Sequence, residues 1–150
     1  MKFYLFIIIV FFQISNSWAI DTKANQAVVV DYNTNEILFE KNSNQKISPA
    51  SMTKIMTVYA AFDRINNTEL TIEDTCTVSA KAYRTGGSRT FLEIDEQVTI
   101  NTLLRGIIIQ SGNDASVALA ECLAGTEDDF ASLMNVYAEK LKMNNTNFTN

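Results

Sequence analysis

Two side chains in the stretch SPASMTK, residues 48–54, have the types and spacing for acyl chemistry. Ser51 carries a hydroxyl and Lys54 an amine at positions i and i+3, which a helix sets on one face about one turn apart. The chain contains no histidine, which excludes a serine-histidine-aspartate triad, its cysteine-histidine relatives and histidine-based zinc or iron sites. A serine nucleophile here needs another base. Lysine is a poor one at its ordinary pKa of about 10.4, but burial disfavours the ammonium and can lower that value by several units. The positive end of a helix dipole near Ser51 disfavours the ammonium further and favours negative charge that develops at the hydroxyl. A neutral Lys54 beside Ser51 is thus a means of activating a hydroxyl without imidazole. Taken alone the spacing is common, since a snorkelling lysine and an ordinary first-turn serine give the same pattern.

A second constellation is Ser111-Gly112-Asn113, set between two apolar helical segments. A loop tip there presents a hydroxyl and a carboxamide to a cleft. The serine can relay a proton, and the amide can hold a substrate carbonyl or the lysine. A plain helix-helix turn has the same composition.

The elements that must position these groups are readable in outline. Residues 27–32 and 36–41, around Asn33, Thr34 and Asn35, read as a β-hairpin with an asparagine-rich turn. Ser48 can cap a helix and Pro49 suits its first position, with the helical pattern running to Asn66 and Asn67. Met52, Ile55, Met56, Val58, Tyr59, Ala60 and Phe62 cover nearly all its faces, which predicts a helix in the middle of the core. Residues 68–97 are mixed, with a flexible TGGS at 85–88 and a strand-like piece at 90–94. Thr99 or Asn101 then caps a helix through LLRGIIIQ, SGN interrupts it, and DASVALAECLAG forms the next, ended by Gly125. Another helix is expected from about Thr126 to Met143, with Glu127, Asp128 and Asp129 in its first turn. The closing NNTNFTN has no periodicity. A lone hairpin is marginal in water, so either the helices cover it or further strands are expected to pair with it.

Length and composition, 150 residues of which 47% are hydrophobic, indicate one globular domain or part of one. Lys2, the apolar run FYLFIIIVFF and the small residues Ser17 and Ala19 predict a signal peptide over residues 1–19, cleaved after Ala19. An uncleaved membrane anchor is the alternative for this segment. The remaining chain, 20–150, carries 11 basic and 17 acidic side chains, a formal charge of −6, with no basic face suited to nucleic acid. Cys76 and Cys122 fall in the exported part, where either a disulfide or two buried free thiols fits the sequence.

The two motifs, Ser51-Met52-Thr53-Lys54 and Ser111-Gly112-Asn113, together resemble those of penicillin-binding proteins and class A β-lactamases. In detail the chain is most similar to the low-molecular-mass penicillin-binding proteins that are D-alanyl-D-alanine carboxypeptidases. QAVVVDYNTNEILFEKN resembles that family's opening hairpin and ISPASMTKIMT its nucleophile helix. The likeness continues through TGGSRTFLEIDEQVTINTLLRGIIIQSGNDASVALAE to MNVYAEKLKMNNTNFTN, covering residues 25–150. It implies an α+β fold of β-lactamase/DD-peptidase type, an antiparallel sheet with helices on both sides and a helical subdomain. Here residues 20–150 would supply the opening hairpin and the helical part.

By this resemblance Ser51 is the nucleophile that forms an acyl-enzyme, Lys54 its base, Ser111 the proton relay to the leaving amine and Asn113 a ligand of the substrate amide. The backbone N–H of Ser51 would give one oxyanion donor. The implied substrate is the peptidoglycan pentapeptide stem, with β-lactam antibiotics acylating the same serine and no cofactor or metal involved. Export to the periplasm or cell envelope is implied too, with peripheral membrane association in the full-length family and no particular oligomeric state. The family's third motif, K-T-G, does not occur in these 150 residues, so the expectation is the amino-terminal half of such an enzyme. A class A β-lactamase would carry S-D-N, where this chain has Gly112, and a downstream glutamate that residues 140–150 lack. A non-catalytic remnant or peptidoglycan-binding fragment is the remaining reading.

Overall fold

A computed structural model of the chain describes residues 21–150, so the expected signal peptide lies outside the described residues. The chain divides into two units, Met1–Ile47 and Ser48–Asn150.

In the first unit β1 (Ala27–Val30) and β2 (Ile37–Lys41) pair antiparallel, with Val28 opposite Glu40 and Val29 opposite Phe39. Both strands are shorter than expected because Asp31 folds the chain back. Its Oδ1 accepts from the backbone N–H groups of Asn33 and Thr34 and from the Thr34 hydroxyl, and those bonds hold its carboxyl below the usual aspartate value. Asn35, at φ 58°, takes the left-handed conformation that closes the turn. Val28, Val30, Ile37 and Leu38 remain 47 to 56% exposed.

The second unit contains α1 (Thr53–Asn67), β3 (Thr75–Thr77), α2 (Ala80–Arg84), β4 (Gln97–Thr99), α3 (Ile100–Gln110), α4 (Asn113–Ala124) and α5 (Glu127–Lys140). Strands β3 and β4 form a short antiparallel pair with Cys76 opposite Val98. The centre of this unit is α4, which packs against α1, α2, α3, α5 and β3. Its Ala115, Ala118 and Ala120 are buried with Val117, Leu119 and Leu123, and small side chains let neighbouring backbones approach it from several sides.

That arrangement corrects the expectation that the helix after Ser48 is the central one. α1 buries the stripe Met56, Thr57, Ala60 and Ala61, while Ile55 is 73% and Met52 58% exposed and Tyr59 and Phe62 are also open to solvent. Apolar residues on every face do not say which face is covered. The start of the helix differs as well: a 3₁₀ turn, Ala50–Met52, precedes α1, Pro49 precedes that turn, and no side chain caps either. Ser48 is therefore not a cap.

Capping chemistry held elsewhere. Thr99 Oγ1 accepts from Thr102 N–H, Thr126 Oγ1 accepts from Asp129 N–H, and Gly125 closes α4 at φ 89°. α5 ends at Lys140 rather than Met143. The helix α2, capped by Ser79, was not foreseen. No strand forms at residues 90–94, because Phe91 and Asp95 adopt φ of 61° and 64° and the partner of β3 is supplied later, at β4. The terminal asparagine-rich segment is anchored too: Asn135 exchanges hydrogen bonds with the backbone N–H and carbonyl of Phe148, which is buried. Cys76 and Cys122 form a disulfide with a Cα–Cα distance of 5.5 Å, tying β3 to α4.

Candidate active site

Ser51 sits in the 3₁₀ turn, open to solvent, and Lys54 lies half-buried in the first turn of α1. The Lys54 amine donates to Asn113 Oδ1 at 2.6 Å. Burial pushes its pKa below the ordinary lysine value, and among the described residues no carboxylate forms an ion pair with it to restore the ammonium. The sequence reading places the amine within reach of Ser51. In the structure both groups face one cavity, and the hydrogen bond that the amine makes runs to Asn113 rather than to Ser51 Oγ.

That cavity, of about 330 Å³, is lined by Ser51, Lys54 and Ser111 together with Ile55, Val58, Ile107 and Ile108. Two hydroxyls and an amine thus share an apolar recess large enough for a small-molecule group. Ser111 occupies the junction between α3 and α4 in the left-handed conformation, at φ 56°. Gly112 N–H donates back to Gly106 O, which turns the chain sharply and starts α4 at Asn113. Among the described residues no three His, Cys, Asp or Glu side chains converge as metal ligands.

Residues 85–92, whose TGGS reads as flexible, form a strap fastened to this junction. Asn113 N–H donates to Ser88 O at 2.7 Å, Ser88 Oγ donates to Gln110 O at 2.5 Å, and Asn113 Nδ2 donates to Gly86 O at 2.8 Å. A carboxamide that gives its NH2 to Gly86 must turn its oxygen the other way, toward Lys54. The glycines make the approach feasible: Gly87 is at φ 83°, and a Cβ there would lie 2.6 Å from Asn113 Nδ2.

Asp114, next in the chain, is completely buried. Its carboxylate accepts from Thr90 N–H, Thr90 Oγ1, Leu92 N–H and Ala115 N–H, and Arg89 Nε lies 3.8 Å away. Burial raises the pKa of such a group, but these donors outweigh burial and hold it below the usual aspartate value. Sequence reasoning passed over Asp114. Its position gave no signal, because an acid in a first turn is ordinarily favoured there by the helix dipole while facing solvent, as Asp128 does in α5.

The structure therefore brings together all four residues singled out from the sequence: Ser51, Lys54 and Ser111 around the cavity, and Asn113 bonded to Lys54. Residues 13–150 match the family model described as D-alanyl-D-alanine carboxypeptidase. The chain is 42% identical over 128 residues to the D-alanyl-D-alanine carboxypeptidase DacF of Bacillus subtilis (strain 168), which covers 85% of this chain and 33% of the relative. It is 41% identical over 127 residues to DacC of Escherichia coli (strain K12), covering 81% and 32%. The crystal structure of the carboxypeptidase DacD from Francisella tularensis matches with a TM-score of 0.84 at 40% identity, over 87% of this chain and 32% of that one. Penicillin binding protein 5 from Haemophilus influenzae matches with a TM-score of 0.82 at 37% identity, over 87% and 39%. The chain spans about a third of the length of the curated relatives it matches, and within that span it shares their α+β fold of β-lactamase/DD-peptidase type.

Proposed function

The chain belongs to the D-alanyl-D-alanine carboxypeptidase family, and from that premise we propose that its site acylates on Ser51 as a serine D-Ala-D-Ala carboxypeptidase acting on peptidoglycan stem peptides. The observation that carries this reading is the recess in which Ser51, Lys54 and Ser111 meet, with the lysine short of a carboxylate partner and lowered in pKa by burial.

Ser51 Oγ attacks the carbonyl carbon of the penultimate D-alanine while Lys54 Nζ takes the hydroxyl proton. The tetrahedral intermediate collapses as the proton held by Lys54 passes through the Ser111 hydroxyl to the leaving amine, which leaves Lys54 neutral again as the terminal D-alanine departs. Water then hydrolyses the ester and returns the proton to Ser51. Asn113 has a second N–H and a second oxygen lone pair beyond its bonds to Gly86 and Lys54, enough to receive a substrate amide while holding the lysine. A β-lactam opens on the same hydroxyl, because its amide presents the same carbonyl. No step needs a metal or cofactor. The leader-like residues 1–19 and a cell-wall substrate support export to the periplasm or envelope.

The test is incubation of the folded 150-residue chain with a fluorescent penicillin, followed by intact-mass and peptide analysis. An adduct on Ser51, lost in Ser51→Ala, supports the reading. Folded protein without an adduct supports a non-catalytic remnant instead of an acyltransferase.

A further inference from the structure

The buried acid next to the Ser111 motif has no part in the chemistry above, yet its bonds point at the strap that orients Asn113. We propose that Asp114 is a positioning residue: it pins the strap of residues 86–92 onto the first turn of α4, and through the strap it fixes which way round the Asn113 carboxamide sits.

The bonding alternates along the strap. Gly86 and Ser88 offer their carbonyls to Asn113, at Nδ2 and at the backbone N–H. Thr90 and Leu92 offer their N–H groups to Asp114, at 2.9 to 3.4 Å. The segment is thus laid along the helix start by two adjacent residues, one accepting and one donating. A carboxylate suits the accepting role because it has only acceptor sites, and here it meets donors on several sides. The Thr90 methyl supplies a mechanical fit, since a Cβ built on Gly106 would lie 2.4 Å from Thr90 Cγ2. With Thr90 held, Gly86 O stays where the Asn113 amide can reach it. The amide oxygen is then left for the Lys54 amine.

An isosteric Asp114→Asn change presents an NH2 group where Thr90 and Leu92 also present donors. At least two bonds fail and the strap loosens. This role for Asp114 rests on the catalytic reading of Lys54 and Asn113, so its test needs a readout that does not depend on turnover. That readout is hydrogen exchange of the Asn113 side-chain amide, followed by nitrogen-15 NMR on the full 150-residue chain. In the native protein the Nδ2 proton bonded to Gly86 O is the protected one. In Asp114→Asn it is expected to exchange about tenfold faster, the change that accompanies loss of one good hydrogen bond, while amides in α5 keep their protection. Retained protection of Asn113 alongside lost protection at Thr90 and Leu92 overturns the proposal, because Asp114 then anchors only the strap.

If Asp114→Asn unfolds the chain, Thr90→Val decides by the same criteria. It keeps the methyl against Gly106 and removes only the hydroxyl donor to Asp114. Faster exchange at Asn113 with α5 unchanged supports the role, and no change at Asn113 alongside faster exchange of the Thr90 and Leu92 amides overturns it. Failure of Ser51 to take up penicillin in the native chain counts against the proposed function alone, since the amide readout is independent of it.

Discussion

The two helix starts that meet at the cavity are built in opposite ways. Both follow a left-handed residue, Ala50 at φ 48° and Ser111 at φ 56°. Beyond that the start of α4 is locked: Gly112 bonds to Gly106, Asn113 to Ser88 and Gly86, and Asp114 to Thr90 and Leu92. The turn before α1 is held only by its own backbone, Met52 N–H to Pro49 O and Thr53 N–H to Ala50 O, with no capping side chain, and Ser51 and Met52 are exposed. The side carrying Ser111 and Asn113 is thus a fixed reference, whereas the turn carrying Ser51 can adjust at little cost. In the proposed reaction the Ser51 hydroxyl travels toward a carbonyl, which freedom in its turn permits, while the fixed Asn113 holds the Lys54 amine in place.

The most disruptive way to break this contrast is to release α4. Replacing Cys76 and Cys122 together by alanine removes a cross-link across a sequence separation of 46 residues. The chain-entropy model gives a loss of about 4 kcal/mol, a large share of the roughly 5–15 kcal/mol that holds a domain of this kind. Urea unfolding of the full chain reads it. A loss under about 1 kcal/mol would mean that α4 is held without the disulfide.

Next in size is the lysine itself. Lys54→Ala removes the proposed base and is expected to slow Ser51 acylation by about 10²–10⁴-fold, measured with a fluorescent penicillin. The pH profile sharpens this. Because burial favours the neutral amine, and the neutral amine is the form that accepts a proton, the native rate should climb with pH on a limb whose midpoint lies below 10.5. A midpoint at the ordinary lysine value would show an amine that the recess does not shelter.

A smaller effect tests the fit of the strap. In Gly106→Ala the new methyl would meet Thr90 Cγ2 at 2.4 Å and Ala115 Cβ at 3.4 Å, forcing the strap outward at a cost of about 1–3 kcal/mol. Gly86→Ala is the control, with nothing within 4 Å of its Cβ and an expected change within about 0.5 kcal/mol. Equal effects at the two positions, read by thermal melting, would remove the case for a strap seated on α3 and α4.

The same contrast governs what was readable from the sequence. Local rules found what local interactions hold: Thr99 and Thr126 as caps, Gly125 as a stop, and the two motifs whose Ser51, Lys54 and Ser111 line one cavity. The misses are where distant partners decide. Residues 90–94 have strand composition, but Phe91 is left-handed and Asp114, 24 positions from Thr90, takes the N–H groups of Thr90 and Leu92. The helix that follows Ser51 has apolar residues on nearly all its faces, yet α4, assembled from small residues, is the one that neighbours can surround. TGGS looks flexible by composition and is held by the carboxamide of Asn113.

The smallest effect separates the two left-handed residues. Alanine in this conformation costs roughly 1–2 kcal/mol, and a glycine placed there removes that cost while losing about 0.5–1 kcal/mol more backbone entropy on folding. Ala50→Gly should therefore stabilise the chain by about 0.5 kcal/mol, the difference of those two terms. The backbone bonds of the turn, Met52 N–H to Pro49 O and Thr53 N–H to Ala50 O, use no side chain and remain available to the variant. Its effect on Ser51 acylation should have the opposite sign, because a glycine widens the conformations open to the nucleophile and fewer of them face Lys54. Thermal melting and penicillin acylation on the same variant read the two signs together. If the variant is instead destabilised by more than about 1 kcal/mol, the turn before α1 is held by the alanine methyl, and the two helix starts differ less than their hydrogen bonds suggest.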